Sequence, residues 1–98
     1  MDIKEFRDQV KHINFITSTA HTAFHLKKAE RDIFIDQIIK EYINIENPML
    51  VGLQKNGCYA VFYRYGNDIL RVILDMQINK IEIVTFYIID KKQLPEIR

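Results

Sequence analysis

Two groups of residues in this chain have the types and spacing to do chemistry. The first is His21, His25, Lys27, Lys28 and Arg31. His21 and His25 stand four residues apart, and Lys28 continues their face one turn later if the stretch is helical. Histidine titrates near neutral pH, while lysine and arginine can hold a phosphate and the charge that develops on it. Read as a metal site, the pair lacks a third ligand and the glutamate of a His-Glu-x-x-His motif. No metal and no other cofactor is therefore expected. The plain reading of the same residues is a basic helix face turned to water. His12 has no such partners and reads as surface.

The second group is Arg64, Arg71, Thr85 and Tyr87, set within apolar, β-branched runs. An arginine in the middle of Ile-Leu-Arg-Val-Ile-Leu is costly to bury without a partner. Arg71 must therefore meet water, a carboxylate or a bound anion. The plain reading pairs it with Asp75 or Glu82 on an open sheet face.

The elements that must position these residues can be read from pattern. Asp2-Ile3-Lys4-Glu5 has the form of a capping box, and Ile3, Phe6, Val10 and Ile13 then share a helical stripe. Residues 14–19 form a Ser/Thr-rich break, followed by a helix over about 18–30. A third helix over 34–45 turns Ile35, Ile38, Ile39 and Tyr42 inward and is stopped by Asn47-Pro48. A first strand is expected at 49–53 and a tight turn at 54–57.

Residues 57–89 read as an antiparallel meander. Tyr65-Gly66-Asn67-Asp68 fits a two-residue hairpin, which pairs Phe62 with Arg71 and Arg64 with Ile69. Val61, Tyr63, Leu70, Val72 and Leu74 then share one face, and Phe62, Arg64, Ile69 and Arg71 the other. A five-residue loop over 76–80 puts Arg71 opposite Thr85 and Ile69 opposite Tyr87. A one-residue shift there moves Thr85 and Tyr87 to the opposite face. Tyr59, Tyr63 and Tyr65 alternate at strand period and read as core aromatics rather than a base-stacking platform. Cys58 reads as packing rather than as a nucleophile.

The fold class expected is α+β: two to three N-terminal helices packed on a four-stranded antiparallel sheet. The 98 residues make a single domain, with 1–46 helical, 49–89 the sheet and 90–98 a polar tail. A 48% hydrophobic and 28% charged composition is that of a globular chain, not a disordered one. The single cysteine rules out an internal disulfide framework and fits a reducing cytoplasm. A net charge of +1 makes no global case for nucleic acid, so any such case is local. No apolar run approaches a membrane span, and charged residues interrupt any signal-peptide pattern near Met1. Nucleophile elbow, phosphate-binding glycine loop and dinucleotide fingerprint are all missing from the sequence.

Arg31-Asp-Ile33, a helix ending in Glu46-Asn47-Pro48, Gly57-x-Tyr59, Ile69-Leu70-Arg71-Val72 and Ile83-Val84-Thr85-Phe86-Tyr87 occur in that order. This series resembles the RelE-like group within the barnase, EndoU, colicin and RelE-like (BECR) ribonuclease fold. It is most similar to a small family of unknown function with a "His-Ala-x-x-Arg-Met-x-x-Arg-Gly-Ile" helix before "Leu-Arg-Val" and "Val-Thr-x-Tyr" strands. The helix histidine of that family falls on Ala23, with His21 and His25 on either side. Its middle arginine falls on Lys27 and its glycine on Asp32, while Arg31, Arg71, Thr85 and Tyr87 match directly.

The resemblance implies a metal-independent ribonuclease toxin acting on tRNA or ribosome-bound mRNA. Such toxins are neutralised by an antitoxin or immunity protein, and some are delivered to the cytoplasm as the C-terminal part of a larger effector. In such an enzyme the RNA 2′-hydroxyl attacks the adjacent phosphorus, leaving a 2′,3′-cyclic phosphate. That step needs a base, an acid and cations on the phosphoryl oxygens. His21 or His25 would serve as acid or base, and Lys28 or Lys27 with Arg71 would stabilise charge. Thr85 and Tyr87 would position the phosphate or donate a proton, with Arg31 and Arg64 as further phosphate contacts. Two other classes compete: a non-catalytic immunity, antitoxin-like or phage accessory module, and a structural subunit whose tyrosine-bearing strand pairs with a second copy.

Overall fold

The computed structural model describes residues 1–13, 15–18 and 34–90, with the side chains of 34–36 excluded. Helix α1 (Ile3–His12) begins as the capping pattern predicts, with the Glu5 amide donating to Asp2 Oδ1 at 2.7 Å. Its stripe buries Phe6, Val10 and Ile13, while Ile3 at the N-terminal end stays partly exposed. A π-helical segment (Phe34–Ile39) runs directly into helix α2 (Lys40–Ile45). Ile39 and Ile43 are the buried residues here, and Tyr42 packs against the same core from a half-buried position. Ile43 lies four residues after Ile39 and shares its buried face, while Ile38, expected inward, is only half-buried and the side chain of Ile35 lies outside the described ones. Glu46 ends α2 in extended conformation directly before Asn47, the residue that Pro48 disfavours from helix.

Among the described residues the sheet has five strands, not four, and is mixed rather than antiparallel. Strands β1 (Ile16–Ser18), β2 (Leu50–Leu53), β3 (Tyr59–Tyr65), β4 (Asp68–Met76) and β5 (Ile81–Ile89) lie in the order β1-β5-β4-β3-β2. β1 runs parallel to β5, with Ile16 opposite Ile81 and the Ile81 amide donating to the Phe15 carbonyl at 2.9 Å. Three residues carry too little alternation to announce a strand, which is why 14–19 reads as a break. Ser18 ends this strand, so it does not start the helix expected over 18–30; the rest of that helix lies outside the described residues.

The hairpin register matches the sequence reading. Tyr65 pairs Asp68, Arg64 pairs Ile69 and Phe62 pairs Arg71. Gly66 takes φ +60°, the left-handed value that a turn with glycine at its first central position requires. β3 lies between β2 and β4, so the tyrosine-bearing strand offers no free edge to a second copy. Among the described residues no helix is long and apolar enough to cross a membrane.

One face of the sheet packs on α1 and α2 through Val61, Tyr63, Leu70, Val72, Leu74, Ile81, Ile83 and Phe86. The other face carries a smaller buried cluster of Ala60, Phe62, Ile69 and Ile73, with Met49, Leu50, Cys58, Val84 and Ile89 packed around it. Tyr63 is only 1% exposed, so the alternating tyrosines belong to the core and form no stacking platform.

Candidate functional site

Whether Thr85 and Tyr87 share a face with Arg71 is decided at one residue of β5. The connection after β4 is four residues long, with Met76 opposite Ile81 and Gln77 N–H donating to the Lys80 carbonyl. That is one register step from the loop predicted by sequence. On its own, this step would turn Thr85 and Tyr87 toward the helices. Leu74 pairs Ile83 but Ile73 pairs Thr85, so Val84 is an extra residue, a bulge that adds a second step. Two steps restore the parity. Ile81 and Ile83 therefore face the helices before the bulge, Phe86 faces them after it, and Thr85, Tyr87 and Ile89 lie on the opposite side. The expected pairings are corrected accordingly: Arg71 faces Tyr87, not Thr85, and Ile69 faces Ile89, not Tyr87.

On this second face Arg71 Nη1 donates to the Tyr87 hydroxyl. The guanidinium carbon lies 5.1 Å from the Tyr87 ring centroid and 5.7 Å from that of Phe62. Such ring faces attract a cation electrostatically. Asp75 and Glu82, the carboxylates expected to pair with Arg71, do not do so. Asp75 instead accepts from Gln77 Nε2 at 3.0 Å. Arg71 Nε is buried and has no hydrogen-bond partner among the described residues. Thr85 is half-buried opposite Ile73, and Arg64 is exposed at the hairpin end of the same face.

No family model matches the chain, and neither does any curated protein or solved structure. What the face can do must be read from its own geometry.

Arg71, Tyr87, Thr85 and Arg64 are brought to one face by the register, and the first two are in contact. His21, His25, Lys27, Lys28 and Arg31 lie outside the described residues. Phe62 is a part of the arrangement to which sequence reasoning assigned no role. The hairpin register already placed it opposite Arg71, and a ring opposite an arginine is the signal that could have found it.

Chemically, the group is a flat cation held against two rings, with one donor spent on a phenol and another unspent. The Tyr87 oxygen accepts from Arg71, which leaves the phenolic proton directed elsewhere and available to a ligand. A planar guanidinium in this setting suits a phosphate or carboxylate. Cys58 is free and half-buried, its amide donating to Asn56 Oδ1 at 3.0 Å, in keeping with a packing role. His12 is exposed, its Nδ1 2.7 Å from the Asp8 carbonyl. It borders an open groove of about 530 Å³ between α1 and the β4–β5 connection, lined by Asp8, Gln9, His12, Ile13, Met76, Gln77 and Ile78. None of the residues selected from sequence as site candidates lines that groove.

Proposed function

We propose that the chain is a metal-independent ribonuclease that cleaves RNA by attack of the 2′-hydroxyl on the adjacent phosphorus. In this reading the Arg71 face of the sheet is the floor on which the scissile phosphate rests. The observation that carries it is the Arg71 guanidinium between Phe62 and Tyr87, with a buried Nε–H that no group among the described residues satisfies. A buried donor without an acceptor costs about 1–3 kcal/mol, which a phosphoryl oxygen would recover. The phenolic proton of Tyr87 is next to the same oxygen and serves as donor to the phosphate or the leaving group. Thr85 and Arg64 orient the backbone on either side. His21 or His25 supplies the general base, and Lys28 or Lys27 with Arg31 the remaining positive charge. The substrate is tRNA or ribosome-bound mRNA, which places the activity in the cytoplasm and makes an antitoxin or immunity protein the natural partner.

Incubation with total tRNA and ribosomes in EDTA tests this. Cleavage that survives the chelator, yields cyclic phosphate ends and disappears in His25→Ala and Arg71→Ala is the expected result. Intact RNA at micromolar protein would sink it.

A second reading, a non-catalytic immunity, antitoxin-like or phage accessory module, is favoured by a different observation. Phe15, Ile45, Leu53 and Ile78 are large apolar side chains left exposed, Ile78 at 94%. A chain of this second kind would leave RNA intact and bind a protein.

A further inference from the structure

We infer that the chain associates with a second copy of itself by antiparallel pairing of β2 with β2 across a two-fold axis at Gly52. β2 is an outer strand of the sheet. The Gln54 amide donates to the Cys58 carbonyl at 2.8 Å, and the register continues as Gly52 opposite Ala60 and Leu50 opposite Phe62. In an antiparallel ladder, bonded and non-bonded pairs alternate. Leu50, Gly52 and Gln54 therefore turn their backbone groups toward β3, while Val51 and Leu53 turn theirs away from the sheet. Among the described residues nothing accepts from or donates to these outward groups.

Outer strands are ordinarily guarded by charge, proline, a bulge or a cover. Leu50-Val51-Gly52-Leu53 contains neither charge nor proline; its pairing with β3 is irregular only at the start, where the Met49 amide donates to the carbonyl of Phe62, the partner of Leu50, and is regular beyond it. Leu53 is 64% exposed. Among the described residues these features leave the edge open over 51–53, and an antiparallel copy centred on Gly52 meets it with the same apolar, uncharged side chains. With the axis at Gly52, Val51 of one copy faces Leu53 of the other, twice. The two outward N–H and two outward C=O groups of each strand then all find partners. Each exposed Leu53 side chain lies across from a Val51 on the helix side, and no like charges meet within the strands. The two Gly52 residues face each other at the close, non-bonded spacing; a side chain built there meets nothing within 4 Å of its own chain. A second copy supplies all these matches at once, whereas an arbitrary extended peptide supplies only the backbone bonds. So short a seam falls below the roughly 1,200 Å² of stable interfaces, so the dimer is weak and dependent on concentration.

Sedimentation equilibrium from micromolar to millimolar protein tests the proposal, together with amide exchange. The expected result is a monomer–dimer equilibrium in which Leu53→Lys raises the dissociation constant at least about tenfold, equivalent to about 1.4 kcal/mol. Ile78→Lys, an exposed residue on the opposite hairpin, leaves it unchanged. In the unmodified chain the Val51 and Leu53 amides gain protection as concentration rises. A monomer throughout that range overturns the proposal. So does a dimer insensitive to Leu53→Lys, or one without added protection at Val51 and Leu53.

Discussion

Arg71 and Tyr87 face each other as partners on β4 and β5, and the guanidinium donates to the phenol across the ladder. Nε is closed to solvent and has no partner among the described residues, so an anion that displaces the groups covering it gains one donor. Titration with a nucleoside monophosphate is expected to shift the Arg71 Nε–H resonance, and Arg71→Lys removes the planar fork that such an anion needs. Under the proposed mechanism Tyr87→Phe lowers the RNA cleavage rate by about 10²-fold or more, the scale of a lost proton donor. A single-turnover assay checks it, with the urea midpoint confirming that the fold is intact.

Arg7 ties α1 to the far end of α2. Its Nη1 donates to the carbonyls of Ile43, Asn44 and Glu46 at 3.2, 3.0 and 3.3 Å. These acceptors belong to the last turn of α2 and its cap, where carbonyls lack helical partners and a cation is favoured. Arg7→Met keeps the apolar stem but removes the donors. It is expected to destabilise the protein by about 1–2 kcal/mol, since water can replace the exposed bonds. Urea denaturation reads this directly.

Tyr63 is buried with its hydroxyl lacking a hydrogen-bond partner among the described residues, its ring set edge-on to Tyr42 at 5.5 Å between centroids. Burial pushes its pKa well above the ordinary phenol value; nearby Arg7 opposes this and Glu46 adds to it. Tyr42 is raised too, by burial first and then by Tyr65, Glu46 and Glu41. A pKa higher in the folded than the unfolded state means that the native protein holds its proton longer. Stability is therefore fully present below about pH 10, the unfolded phenol value, and falls as pH rises toward the folded values. Tyr63→Phe is expected to leave neutral-pH stability equal or raise it by up to about 1 kcal/mol, because an unsatisfied hydroxyl goes. The alkaline decline should flatten in the same variant. Thermal melts from pH 7 to 11 measure both effects.

Val84 is the extra residue of β5: were it paired in the ladder, Thr85 and Tyr87 would turn to the helix side. Deleting it removes the bulge and leaves Ile83 opposite Leu74, Thr85 opposite Ile73, Phe86 opposite Val72 and Tyr87 opposite Arg71. The deletion is therefore expected to keep Phe86 in the core and to preserve the Arg71–Tyr87 contact in NMR spectra. A folded variant that loses that contact would refute this account of the bulge.

Much of this architecture was legible in residue order. The Asp2 cap, the Phe6–Val10–Ile13 stripe, the Gly66 hairpin and the two faces of β3 and β4 all follow from local periodicity. Those features depend on neighbours a few residues apart. What could not be read depends on contacts between distant segments. β1 has too few residues to show alternation, and its parallel partner lies some 65 positions away. The bulge at Val84 is invisible because Ile-Val-Thr alternates equally well in either phase. The candidate site divides in the same way. Arg64 and Arg71 were placed together by the hairpin, whereas Tyr87 joined them through two register steps that offset each other. The hairpin placed Phe62 beside Arg71 as well, but its part as a ring under the cation was not read from the sequence.

The pairing of Ile16 with Ile81 also governs the order in which the fold can be completed. Near the start of the chain, β1 is seated by β5, which lies close to its end. The central hairpin closes over two residues and can form early, but closing the sheet at β1 must wait for Ile81–Ile83. Contacts of such long sequence separation are the slow ones in folding. A chain emerging from the ribosome thus remains with an incomplete sheet until β5 has been made, and the Arg71–Tyr87 pair is assembled in that same late stage.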